Sequence, residues 1–144
     1  MLKKYQEFFK VNNLKLFLKY DGVRDKKVYT VRVFKKHSNG EYLGYGGDTN
    51  EPIILLSTIL DEQGLKDSII LKEDIYCNFR KIEHFFIQKL GVGIIISMTF
   101  EYKNDKFEYT IIGKKIESGK EEDFVRLIGS NIYGLLLKMK ELNI

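Results

Sequence analysis

Apolar and polar positions alternate most regularly between Gly91 and Ile116, GVGIIISMTFEYKNDKFEYTIIGKKI. Ile94, Ile96, Met98, Phe100 and Tyr102 fall on one face of an extended chain, with Ile95, Ser97, Thr99 and Glu101 on the other. That is the two-residue period of a pleated strand. Lys103-Asn104-Asp105-Lys106 supplies the turn, because Asn and Asp accept the positive φ of a two-residue hairpin loop. Phe107, Tyr109 and Ile111 then return along the same sheet. The same period predicts an earlier hairpin. Leu14, Leu16, Leu18 and Tyr20 alternate with Lys15, Phe17 and Lys19, the chain turns over Asp21–Lys26, and Val28–Lys36 returns with Tyr29, Val31 and Val33 facing inward.

Other stretches follow the helical period. Leu2, Tyr5, Phe8 and Phe9 share one side of Leu2–Val11. A third short strand is expected over Glu41–Tyr45, followed by a loop over Gly46–Asn50. A helix comes next, with Thr49 or Asn50 as its cap, Pro52 in its first turn and Gly64 at its end. Ile53, Leu56, Ile59 and Leu60 form its buried side. Ile69-Ile70-Leu71 within Leu65–Lys72 reads as a strand. Glu73–Leu90 reads as a helix on Ile75, Phe79, Ile82, Phe86 and Leu90, closed by Gly91. Ser118-Gly119-Lys120-Glu121 has the form of a capping box. It opens a last helix to about Leu142 that buries Phe124, Leu127, Ile128, Ile132, Leu135, Met139 and Leu142. Gly129 and Gly134 inside that helix each cost about 1 kcal/mol, which implies a close neighbouring element.

The resulting layout is α+β, an antiparallel sheet of about four to six strands with helices packed mainly on one face. No linker divides residues 1–144, so one domain is expected. A faint echo relates residues 1–64 to 73–144. Phe8-Phe9 precedes a hairpin ending in Tyr29-Thr30-Val31, and Phe85-Phe86 precedes one ending in Tyr109-Thr110-Ile111, which suggests helix–strand–strand–helix twice, with an extra loop and strand in the first half.

Composition narrows the class without naming a reaction. Hydrophobic residues at 44% and charged residues at 31% suit a folded globular chain and argue against disorder. Trp and Ala are absent and Pro occurs once. With abundant Lys, Ile and Asn, this usage reflects an AT-rich coding sequence and carries no mechanism. The first residues, MLKKYQEFFK, lack the apolar core of a signal peptide. No apolar run has the length of a membrane span. A single Cys77 cannot form an internal disulfide and suits a reducing compartment. The expectation is a cytoplasmic protein with no cofactor and no metal.

Charge is unevenly placed. The net formal charge is +4, but residues 1–36 hold eleven Lys and Arg against Glu7, Asp21 and Asp25. The remaining residues are mildly acidic. Such a basic first quarter can steer an acidic partner to one side of the molecule. Alternatively, its lysines simply solvate the outer side of the first hairpin.

Candidate chemistry is sparse. Gly44-Tyr45-Gly46-Gly47-Asp48-Thr49 before a helix could let backbone N–H groups converge on an anion. No phosphate-loop Lys-Ser/Thr follows, and Asp48 would repel a phosphate. A turn leading into a helix cap explains the same residues. Cys77 and His84, two turns apart on one helix, stand about 10 Å from each other, too far for a thiolate–imidazole pair. Cys77 reads as a small buried hydrophobe. Two histidines and one cysteine do not assemble a zinc site, and no enzymatic activity is expected.

Three readings remain. The first is a non-enzymatic inhibitor that binds another protein, in kind like toxin-immunity, antitoxin or phage anti-defence proteins. It would use Lys15, Phe17, Lys19 and Arg32 of the basic hairpin, or Tyr42, Tyr45, Gly46, Gly47 and Asp48 of the glycine-rich stretch. Exposed tyrosines are favoured at such interfaces. The second is a nucleic-acid-binding module, in which Lys15 and Lys19 track phosphates and Phe17 stacks a base. Arginine is scarce and the RNA-binding sheet motifs are absent, which weakens it. The third is capture of a small ligand or nucleotide at residues 44–49. A homodimer is compatible with all three, and none requires a membrane.

Overall fold

The computed structural model describes residues 2–65 and 68–144. Helix α1 (Lys4–Val11) leads into strands β1 (Leu14–Asp21), β2 (Tyr29–Lys36) and β3 (Tyr42–Thr49), followed by helix α2 (Pro52–Glu62). A continuous helical stretch comes next. It comprises α3 (Ser68–Leu71), a wide turn over Lys72–Tyr76 closed by an i→i+5 hydrogen bond from Cys77 N–H to the Lys72 carbonyl, and α4 (Cys77–Leu90). Strands β4 (Ile94–Lys103), β5 (Lys106–Glu117) and β6 (Lys120–Gly129) and helix α5 (Ile132–Lys140) complete the chain. The six strands form one antiparallel sheet in the order β3-β2-β1-β4-β5-β6. The fold is α+β, as the periodicity implied.

The sheet has two different faces. Leu14, Leu16, Leu18, Val31, Val33, Ile94, Ile96, Met98, Phe100 and Ile111 alternate onto the inner face and are all buried. Helix α1 lies over β1 and β4, α2 over β2 and β3, α4 over β4, and α5 over β6. Phe100 is fully buried at the centre. Its ring meets those of Phe9 at 5.3 Å, Phe107 at 5.3 Å and Tyr109 at 5.0 Å. The odd-numbered residues of β1 and their neighbours form the other face, on which no helix among the described residues packs.

Both hairpin turns lie close to where the residue types demand them. Asn104 and Asp105 take φ of 52° and 63°, the left-handed pair of a two-residue hairpin turn. Three expected elements differ. The Ser118–Glu121 capping box and the long final helix are not present. Lys120–Gly129 is strand β6, Ser118 and Gly119 take the positive φ of the β5–β6 turn, and only Ile132–Lys140 is helical. Asn131 caps that helix, its Oδ1 accepting the N–H of Tyr133 at 2.9 Å. Gly129 is therefore a strand residue, and Ile128 is exposed.

The strand expected over Leu65–Lys72 is helical from Ser68 onward, with Ile69 and Ile70 exposed and Leu71 buried; residues 66 and 67 lie outside the described residues. The loop expected over Gly46–Asn50 is part of β3, which pairs with β2 through Thr49. Helix α2 begins after Glu51, whose N–H is accepted by Thr49 Oγ1 at 2.9 Å, and Pro52 occupies its first turn. Each half of the element order is helix, three strands, helix; the third strand was expected in the first half, and the second half has one strand more than expected.

Candidate binding face

The strand registers place the uncovered face in rows that run across the sheet. One row reads Gly46, Arg32, Phe17, Thr99, Thr110, Ile128. The next reads Asp48, Thr30, Lys19, Ser97, Ile112, Arg126. Gly44, Phe34, Lys15, Glu101 and Glu108 form a third row, and Asp21, Ile95 and Lys114 a fourth. Period-2 alternation in β1 does the positioning: the same pleat that buries Leu16 and Leu18 turns Lys15, Phe17 and Lys19 outward.

Four of the sequence-derived residues are thereby brought together. Lys15, Phe17 and Lys19 stand two apart along β1, and Arg32 lies directly across from Phe17. Beside Phe17 the face sinks into a depression of about 300 Å³ lined by Phe17, Lys19, Ile95, Ser97, Ile112, Lys114 and Glu121. A second depression, of about 320 Å³, joins Lys15 to Tyr42 at the sheet margin, with Lys36, Glu101 and Lys103 in its wall.

The glycine-rich residues take different places. Tyr42 and Asp48 belong to the uncovered side of β3, whereas Tyr45 turns inward and packs against the core. A Cβ on Gly44 would come within 3.0 Å of the Phe34 ring, so the missing side chain leaves room for that ring. Gly46 has φ of 106°, and a Cβ there would fall 2.1 Å from the Val31 carbonyl oxygen and 2.8 Å from Ile59. Gly47 meets no such crowding. The segment is an edge strand laddered to β2, so its N–H groups do not converge on a common point.

Electrostatics sort the charges of this face. Asp48 accepts the Thr30 hydroxyl at 2.7 Å and faces Arg24 Nη1 at 3.1 Å. The Thr30 hydrogen bond, then Arg24, hold its carboxyl below the usual carboxylate range. Buried Asp21 accepts the Val23 N–H at 3.1 Å and pairs with Arg24 Nε at 3.1 Å and Lys19 Nζ at 3.9 Å. Glu101 and Glu108 both pair with Lys103, at 3.5 and 3.1 Å, and Glu121 pairs with Lys114 at 3.2 Å. Glu108, first, keeps the Lys103 ammonium above its ordinary pKa.

Cys77 is exposed on α4, not buried as expected, and His37 and His84 are exposed as well. Among the described residues, no cluster of three or more His, Cys, Asp or Glu side chains could hold a metal.

A polar group that the sequence reading passed over lies between α4 and the inner sheet. Glu83, only 3% exposed, accepts the Tyr29 hydroxyl on Oε1 at 2.6 Å, while its Oε2 stands 3.4 Å from Arg80 Nη1 with no hydrogen bond of its own. Arg80 also donates to the Tyr29 hydroxyl oxygen. Burial, and then Glu83, push the Tyr29 phenol above its ordinary pKa. The signal was present in the sequence: Glu83 is four residues after Phe79, inside the apolar stripe of the helix.

No family model matches the chain, and no curated protein or solved structure is significantly similar to it.

Proposed function

We propose that this chain is a non-enzymatic inhibitor that binds another protein, of the toxin-immunity, antitoxin or phage anti-defence type, and occludes a partner enzyme with the uncovered face of its sheet. The observation that carries this reading is the contiguity of Lys15, Phe17, Lys19 and Arg32 on a face that no helix among the described residues covers. Size supports it. Six strands spaced about 4.8 Å apart and at least eight residues long give a surface on the order of 600 Å², near the roughly 800 Å² that one partner contributes to a standard interface. The half-buried Phe17 and Arg32 at its centre are of the residue types that dominate binding energy.

The test is co-expression with the product of the adjoining gene, followed by gel filtration and an assay of that product's toxicity or enzymatic activity. A one-to-one complex and restored growth are expected, both lost in Phe17→Glu/Arg32→Glu. Full protection by that double variant, or no complex and no protection across a broad set of candidate enzymes, would overturn the reading.

A second reading rests on Phe17 standing among Lys15, Lys19 and Arg32, an arrangement that can stack a base between phosphate contacts. It predicts affinity for single-stranded oligonucleotides that falls steeply with salt. Absence of binding at low salt removes it.

No helix among the described residues is long and apolar enough to cross a membrane.

A further inference from the structure

We infer that the partner surface recognised by the uncovered face is an acidic protein segment that projects one large apolar side chain, flanked by carboxylates, into the depression between Phe17, Ile95 and Ile112. This inference rests on the protein-binding reading above and specifies its partner. Three observations combine.

The depression is about 300 Å³ and has Phe17, Ile95 and Ile112 in its wall. None of these three belongs to the buried core or packs against it. A pocket of this size and lining suits an apolar anchor. The carboxylates nearest to it are already committed: Asp21 to Lys19 and Arg24, Glu121 to Lys114, and Glu101 and Glu108 to Lys103. Lys15, Arg32 and Arg126, in contrast, have no ion-pair partner among the described residues. Arg32 lies beside Phe17, and Arg126 beside Ile112. Asp123, exposed opposite Lys114, has no ion-pair partner among the described residues either, but the uncommitted charges directly beside Phe17 and beside Ile112 are positive, which complements carboxylates on either side of an apolar anchor.

The same layout disfavours a nucleic-acid strand. Phosphates repeat along a strand at short intervals and need a continuous cationic track. Here Glu101 and Glu108 follow Lys15 along its row, and Asp48 and Thr30 follow Lys19 on the other side. A short cationic cluster bounded by acids matches discrete carboxylates better than a polyphosphate.

The test is selection of peptides from a random display library against the full chain, with fluorescence anisotropy on the enriched peptides. The expected result is enrichment of peptides with Leu, Phe, Met or Trp flanked by Asp or Glu. Their affinity should fall at least about tenfold in Phe17→Glu and in Arg32→Glu. It should be unchanged in Lys81→Glu, which alters exposed charge on α4, on the far side of the sheet. No enrichment, enrichment without acidic residues, or equal binding to Phe17→Glu would overturn the proposal. So would oligo-dT or oligo-U bound at 50 mM salt more tightly than any selected peptide, which would assign the face to nucleic acid. Because the genetic-neighbour assay reads inhibition and the peptide selection reads surface chemistry, either can fail alone. An inhibitor that blocks its enzyme through another face keeps protection in Phe17→Glu/Arg32→Glu and selects no acidic–apolar peptides.

Discussion

A carboxylate taken out of water costs several kcal/mol unless charge and hydrogen bonds offset it. Glu83 has one good hydrogen bond, from Tyr29, and one 3.4 Å ion pair, to an arginine that keeps about a third of its side-chain surface in solvent. Removing the phenol while leaving the acid should therefore hurt more than removing the acid. Tyr29→Phe is expected to lose about 1–3 kcal/mol of stability in urea denaturation. Glu83→Leu should stay within about 1 kcal/mol of the native chain, because Arg80 can turn to water. The double variant Tyr29→Phe/Glu83→Leu should regain most of what Tyr29→Phe loses. The phenols carry a second prediction. Tyr5, Tyr29 and Tyr109 are all held above the ordinary tyrosine pKa by burial first, Tyr109 to about 12. A raised folded-state pKa stabilises the fold below the unfolded value of about 10. That contribution is lost as pH rises through the folded-state value. Spectrophotometric titration at 295 nm should show a late tyrosinate step between about pH 10 and 12 that coincides with unfolding, and Tyr109→Phe should diminish it. The two polar residues of α4 differ in how far the sequence disclosed them. Glu83 falls within the apolar stripe of Phe79, Ile82 and Phe86, so its burial could be read. Cys77 falls on the side of Lys81 and His84, four and seven residues on, and its exposure followed from the same wheel.

Among elements, the two central hairpins were readable because strict alternation and an Asn-Asp turn agree on one register. Strand β6 was not, and a bulge explains why. Gly113 pairs with Val125 but Lys114 pairs with Asp123, so Phe124 is the extra residue in the ladder. It turns inward beside Val125 and sets its ring 5.2 Å from that of Phe86. Two consecutive inward residues, then Leu127, Ile132, Leu135 and Met139, reproduce the three-and-four spacing of a helix. Strand β3 hid itself by composition, since glycine is depleted in strands. Its glycines answer to neighbours that sequence proximity does not show: the Phe34 ring for Gly44, and the Val31 carbonyl and Ile59 for Gly46. The Ile69-Ile70-Leu71 run failed for a general reason, since a short apolar run has no period to measure. A Cβ at Gly113 would lie 2.4 Å from the Phe124 ring, so Gly113→Val should cost at least about 2 kcal/mol, read as a lower urea midpoint at unchanged m. Asp105→Gly should add about 0.5 kcal/mol, because glycine takes the 63° φ there without strain.

For the whole molecule, the sheet divides the work between its faces. One carries the core and all the helices. The other carries Lys15, Phe17, Lys19 and Arg32, whose grouping was legible because it needed only β1 and β2 in register. The contribution of Ile95, Ile112 and Arg126 was not, because it depends on β1 pairing with β4 and on β6 being a strand at all. Since these side chains do not support the core, Phe17→Glu/Arg32→Glu should shift stability by no more than about 0.5 kcal/mol. A larger loss in chemical denaturation would mean that the face is structural and not set aside for a partner.

The joint between β1 and β4 has a bearing on how the molecule is made. Lys15 pairs with Glu101 and Asp21 with Ile95, so the left half of the sheet is synthesised long before the strand that completes it. A nascent chain leaving the ribosome carries β1 with one row of backbone donors and acceptors unsatisfied, beside apolar surface still waiting for its lid. Bare strand margins of that kind recruit other chains. Chains truncated at Gly93 are expected to aggregate in light-scattering assays, and chains extended through Glu117 to aggregate far less.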